Sequence, residues 1–163
     1  MTQATIRTAS LRLSGVLRTR NLKIAVAESC TGGLVAAALI ALPGASDLIG
    51  EAYIVYADEA KIRILGIDPK LIETRGAVSV ECAGEMAKNL EKLAKCDVAL
   101  SVTGIAGPTG ETASAPVGTV CFGISYHGKT ITHRERFPGD RNEVQNQAVA
   151  YILEKVAARI ENE

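Results

Sequence analysis

The chain has no tryptophan, two phenylalanines and four tyrosines in 163 residues, too few aromatic faces to stack the bases of a single-stranded nucleic acid. Neither charge is in excess, with eighteen basic residues against eighteen acidic, so the basic field that draws a duplex is missing as well. No nucleic-acid partner is expected. Long apolar runs are also lacking: Leu34 to Leu42, nine residues, is the longest, against ~20 for a membrane-spanning helix. A soluble chain without a membrane partner is expected. Cys30, Cys82, Cys96 and Cys121 make no CxxC pair, and no export signal accompanies them; reduced thiols in a cytoplasm are the simplest expectation. With two histidines and no clustered His, Cys or carboxylate set, no metal site is expected.

What is present suits one domain over residues 1–163, since the length falls within the usual ~100 to 200 residues and 47% of the side chains are hydrophobic. The apolar content would allow a homo-oligomer, although no exposed stripe marks an interface. Residues 1–23 carry five basic residues and no acid, as a transit peptide does. However, Ile6, Ala9, Leu13, Val16 and Leu17 recur at helical spacing, which predicts an ordinary first helix.

After it, strand and helix alternate. Leu22–Ala27 reads as a strand, Thr31–Leu42 as a helix apolar nearly all round and hence buried, Ala52–Tyr56 as a second strand and Asp58–Leu65 as a short helix, with a turn at Asp68-Pro69. Ser79 can cap an amphipathic helix running to Lys95. Val98–Val102 is a third strand, and Val117–Tyr126 with Lys129–Phe137 makes a hairpin around His127-Gly128. Asp140 and Glu143 give a capping-box start to a last helix. The pattern predicts an α/β fold: a three-layer α/β/α sandwich around a mixed, mostly parallel sheet. Ligands of such sheets sit beyond the carboxyl ends of the parallel strands, which is where the three least ordinary segments fall.

The first of them is AESCTGG at 27–33. It puts Ser29 just before a helix N-terminus, where free amides could hold an oxyanion or a phosphate. Equally, Ser29 or Thr31 could simply cap the helix while Gly32 and Gly33 permit close packing. As a nucleophile Ser29 would need a base. His127 and His133 lie in the hairpin, whereas Lys61, in YADEAK at 56–61, follows the second strand by one helical turn. A free lysine has pKa ~10.4, so a lysine base has to be desolvated, and carboxylates such as Asp58 and Glu59 would oppose that. Without desolvation Lys61 is an ordinary surface lysine. Tyr56 could give its hydroxyl to the pair or pack in the core. Cys30 is a rival nucleophile.

The run VTGIAGPTGE at 102–111 spaces Gly104, Gly107 and Gly110 around Pro108, a frame that can offer backbone amides to a phosphate or an amide. Arg141 could grip a phosphate, or pair with Asp140 or Glu143.

Taken in order, AESCTGG, YxxYADEAK, GAVS at 76–79, TGIAGPTG, PVGTV at 116–120 and FPGDR at 137–141 resemble the CinA carboxy-terminal family, in particular its stand-alone nicotinamide-nucleotide amidases. The resemblance spans nearly the whole chain. It implies a three-layer fold and hydrolysis of the carboxamide of nicotinamide mononucleotide, a pyridine nucleotide, with no cofactor. It makes Ser29 the nucleophile, Lys61 its base and Tyr56 a helper. It places Cys30, Thr31, Gly32, Gly33, Thr103, Gly104 and Gly107 around the substrate, the amides near Gly32 and Gly33 facing the oxyanion, and Arg141 at the phosphate. Ala57-Asp58 stand where the family commonly has Ser-Asn, Glu111 replaces a frequent Gly, Ala115 stands where Lys is usual, and Gln145 where Arg is frequent. The alternative is a nucleotide-binding module of the same fold without amidase activity.

Overall fold

The computed structural model describes residues 3–163. Helix α1 (Gln3–Arg20) turns Ile6, Ala9, Leu13 and Leu17 inward and leads into β1 (Ile24–Glu28), buried along its whole length. The sheet has five strands in the order β2-β1-β3-β4-β5. Strand β1 runs parallel to β2 (Ile49–Ile54) on one side and to β3 (Val98–Gly104) on the other. The hairpin of β4 (Thr119–Tyr126) and β5 (Lys129–Arg136) adds two antiparallel ladders. The sheet is thus mixed as expected, with the parallel half confined to β2-β1-β3.

Alternation along the strands splits the interior in two. Ile24, Val26, Leu100, Val102, Phe122 and Ile124 pack with α1, α2 (Leu34–Ile40) and α6 (Arg141–Glu161). On the other face the small Ala25, Ala27 and Ala99 meet Leu65, Ile67, Met86 and Leu90, carried by α3 (Asp58–Leu65), α5 (Val80–Ala94) and the segment between them. Small residues there let α5 come close: Ser101 Oγ donates to the Ala83 carbonyl at 2.6 Å, and a Cβ at Gly123 would collide with that carbonyl. Ser79 caps α5, its hydroxyl accepting the Cys82 amide, and Asp140 with Glu143 forms the capping box of α6.

Three expectations change. The second strand is Ile49–Ile54 rather than Ala52–Tyr56. Residues 69–75 form helix α4 (Pro69–Arg75), with Asp68 as its N-cap, where a turn alone was predicted. Helix α2 begins at Leu34, not Thr31, and is not buried all round, since Leu34 is 40% and Ile40 57% exposed. It packs on one side, while Leu34, Ala37 and Ala38 line a groove shared with Ile6 and Arg7 of α1. None of the described helices is long and apolar enough to cross a membrane.

In register, Glu28 stands opposite Ile54 of β2 and Val102 of β3. The segments that leave the carboxyl ends of the three parallel strands therefore start side by side.

Candidate active site

At those ends lies an open cleft of about 220 Å³ whose walls include Ser29, Tyr56, Lys61, Thr103, Gly107 and Arg141. Cys30, Asp58 and Gly104 also contribute to it. A larger groove of about 400 Å³, walled by Ala37, Ala38, Leu42 and Val149 among others, brings together no nucleophile with a base.

Lys61 lies one turn into α3, and helical geometry turns it from the helix start back toward β1. Its side chain is 2% exposed, and Ser29 is 7% exposed. Nζ lies 3.3 Å from Ser29 Oγ, 3.2 Å from the Tyr56 carbonyl oxygen and 3.4 Å from Asp58 Oδ1. Three oxygens thus surround the three N–H directions of an ammonium group. The Ser29 hydroxyl in turn donates to the Tyr56 carbonyl at 3.4 Å. Tyr56 therefore serves the pair through its backbone. Its phenol accepts a hydrogen bond from Arg141 at 3.0 Å instead, which differs from the hydroxyl role weighed on sequence.

Arg141, first residue of α6, also donates to the Gly107 carbonyl at 2.9 Å. It joins the segment after β2 to the glycine loop after β3, while Asp140 and Glu143 are occupied with each other. Thr103 is buried, lines the cleft and donates to the Ala77 carbonyl at 2.9 Å. Gly104 is required by space: a Cβ there would lie 2.7 Å from the Thr119 carbonyl and 3.0 Å from Cys30 Sγ. Cys30 is thus packed under the loop, and burial pushes its thiol up to about 12. That disfavours the thiolate which a cysteine nucleophile needs.

Thr31, Gly32 and Gly33 do not line the cleft. The reason is Glu28, a buried carboxylate that accepts the amides of Gly33 at 3.1 Å, Val35 at 3.0 Å and Ala36 at 2.9 Å. An acid inside the chain already fills the α2 N-terminus, so no outside anion is needed there. The Gly32 amide is occupied too, bonded to the Ser29 carbonyl at 3.0 Å. Gly33, at φ +99°, is the N-cap residue and has no side chain to cap with. The Thr31 hydroxyl is buried without a partner among the described residues. Neither Ser29 nor Thr31 caps α2 by its side chain, so both expectations for this turn are corrected.

Sequence reasoning missed Glu28. An acid ending a strand just before a Gly-Gly helix start is the signal that could have found it. The GAVS block supplies Ala77 and Val78, which also line the cleft, and Gln145, noted as a departure from the family, donates Nε2 to the Cys30 carbonyl at 2.8 Å. His127 and His133 are not part of the cleft. No group of three or more His, Cys, Asp or Glu among the described residues could hold a metal ion.

Comparison with known proteins agrees with this geometry. The family described as CinA C-terminal domain matches residues 7–160. A CinA-like protein of Kosmotoga olearia is 45% identical over 141 residues, covering 86% of this chain and 34% of its own length. The CinA-like protein of Thermotoga maritima is 40% identical over 141 residues, 86% of this chain and 34% of its own. The chain spans about a third of the length of the curated relatives it matches. Among solved structures, a CinA superfamily protein of Klebsiella pneumoniae superposes with TM-score 0.94 at 32% identity, covering 97% of this chain and 99% of that one. The competence/damage inducible protein CihA of Agrobacterium tumefaciens gives 0.93 at 32% identity, covering 97% of each chain.

Proposed function

We propose that this chain, which belongs to the CinA C-terminal domain family, hydrolyses the carboxamide of nicotinamide mononucleotide to nicotinic acid mononucleotide and ammonia. Ser29 is the nucleophile and Lys61 the base. One observation carries the reading: a buried lysine amine 3.3 Å from a serine hydroxyl, in a cleft where three parallel strands end. Serine with lysine is an established variant of nucleophilic catalysis; Lys61 is buried beside Ser29, and its contact with the Asp58 carboxylate, which favours the ammonium, must give way for it to act as a base.

Lys61 acts as the neutral amine. The Ser29 hydroxyl then turns from the Tyr56 carbonyl to Nζ, and Lys61 takes its proton as Oγ attacks the carboxamide carbon. The tetrahedral intermediate collapses when the leaving nitrogen takes that proton back and departs as ammonia. The ester on Ser29 remains. Water, deprotonated by Lys61, cleaves it to the carboxylic acid, and the proton returns to Ser29.

The amides of Gly32 and Gly33 are spent inside the protein, so oxyanion stabilisation comes from elsewhere in the wall. Ala106 and Gly107 line the cleft, and their amides donate to no backbone acceptor among the described residues. One such donor is typically worth about 3 kcal/mol of barrier. Arg141 keeps guanidinium N–H groups beyond those used on Gly107 and Tyr56, and these receive the phosphate.

The test is direct. Incubated with nicotinamide mononucleotide, the protein releases ammonia and nicotinic acid mononucleotide in equal amounts, and Ser29→Ala does not. Ammonia release by folded Ser29→Ala at the wild-type rate would refute the mechanism.

A further inference from the structure

Among the described residues, a single carboxylate, that of Asp58, lines the cleft. Asp58 is the first residue of α3, where it follows the N-cap residue Ala57, and no side chain caps that helix end. The Asp58 side chain is 51% exposed and reaches Lys61 Nζ through Oδ1, while Oδ2 has no partner among the described residues. Two basic side chains also line the cleft, Lys61, which Asp58 contacts, and Arg141 at the start of α6. The site is therefore dipolar, with an anion at the mouth of α3 and a cation at the start of α6.

A neutral ligand that covers Asp58 removes water from a carboxylate and can return hydrogen bonds but no charge. A ligand bringing positive charge against Oδ2 replaces that water with an attraction, strengthened as water leaves the cleft. We infer that Asp58 selects a carboxamide carried on a positively charged ring, its carboxylate lying against the ring while Arg141 takes the anionic end of the same molecule. For the identity of the ring the inference rests on the amidase reading above. The charge preference itself follows from the cleft.

The test measures dissociation constants by calorimetry in Ser29→Ala protein, so that no ligand is consumed. Two probes are compared: nicotinamide mononucleotide, and its 1,4-dihydro form, which has the same phosphate, ribose and carboxamide but an uncharged ring. The charged ring is expected to bind more tightly. Asp58→Asn, isosteric and neutral, is expected to cut that preference about tenfold, and Asp58→Glu to restore much of it. The preference should also shrink with added salt, because Asp58 is half in water. A purely structural Asp58 would weaken both probes alike, so an unchanged ratio in Asp58→Asn overturns the inference. So does failure of both probes to bind. Wild-type ammonia release separates the two readings: charge-selective binding without ammonia release removes the amidase and leaves the selection standing. Ammonia release with an unchanged ratio removes the role of Asp58 alone.

Discussion

Glu28 Oε1 accepts the amide of Ala36 at 2.9 Å, eight residues further along the chain. The carboxylate of a strand's last residue is thereby bound to the first turn of the next helix, and the turn between them is the one that presents Ser29.

Glu28→Gln tests that link. The amide has one acceptor oxygen where the carboxylate has two, and its NH₂ would confront backbone donors. Hydrogen bonds to a buried charged group contribute about 1.5 to 3 kcal/mol each, and at this chain length 1 kcal/mol shifts Tm by about 2 to 4 °C. The expected outcome is a Tm lowered by at least about 4 °C. Ammonia release should fall mainly through kcat, because the serine and not the binding wall is displaced. An unchanged Tm and rate would show that the carboxylate does not hold the turn.

Ser29→Ala and Lys61→Met separate chemistry from folding. Each should lower ammonia release on the order of 10⁴-fold or more, with the double variant no worse than either single one, as expected for residues that act as a unit. Methionine retains the length of the Lys61 stem in its buried slot, and Asp58, half exposed, can turn to solvent once its partner is gone. Circular dichroism should therefore show folded protein in both. Additive losses in the double variant would mean that serine and lysine serve separate steps.

The thiols give a pH test. Burial raises Cys30 to about 12, and Cys82, Cys96 and Cys121 to about 11. In the unfolded chain they ionise near the ordinary thiol value. The native state thus keeps protons that the unfolded state loses, and stability present below pH ~8.5 declines as pH rises toward the folded values. Tm should fall by more than about 5 °C between pH 8.5 and 10.5, and less steeply in Cys30→Ala. At pH 7.5, iodoacetamide should leave ammonia release intact, whereas a Cys30 nucleophile requires its loss.

Much of the fold was legible because its signals are local. Ser79 and Asp140, each just before a helix, announce the starts of α5 and α6, and two β runs flanking His127-Gly128 announce the hairpin. The Ser29 and Lys61 meeting was legible as a possibility: each follows a strand, and parallel strands end together. The partner choices were not legible. Whether the α2 N-terminus receives an outside anion or Glu28, and whether Tyr56 offers its hydroxyl or its carbonyl, depends on rotamers and on Arg141, which lies 85 residues from Tyr56 in sequence. The exposed side of α2 was likewise hidden, because an all-apolar helix reads as buried wherever it lies.

That distinction between carbonyl and hydroxyl yields the last prediction. If the Ser29 and Lys61 pair leans on Tyr56 only through its backbone oxygen, Tyr56→Phe keeps both contacts and loses only the bond from Arg141. Its kcat should stay within about threefold of wild type, while KM rises modestly as the guanidinium loses one of its two anchors. Arg141→Ala goes further, since the glycine loop loses its tie at the Gly107 carbonyl and the substrate its phosphate partner. KM should rise at least about tenfold with kcat changed much less. Arg141→Lys should recover only part of the loss, because one ammonium cannot reach Gly107, Tyr56 and a phosphate together. Steady-state ammonia assays on the three variants check this, and a large kcat loss in Tyr56→Phe would return the phenol to the chemistry.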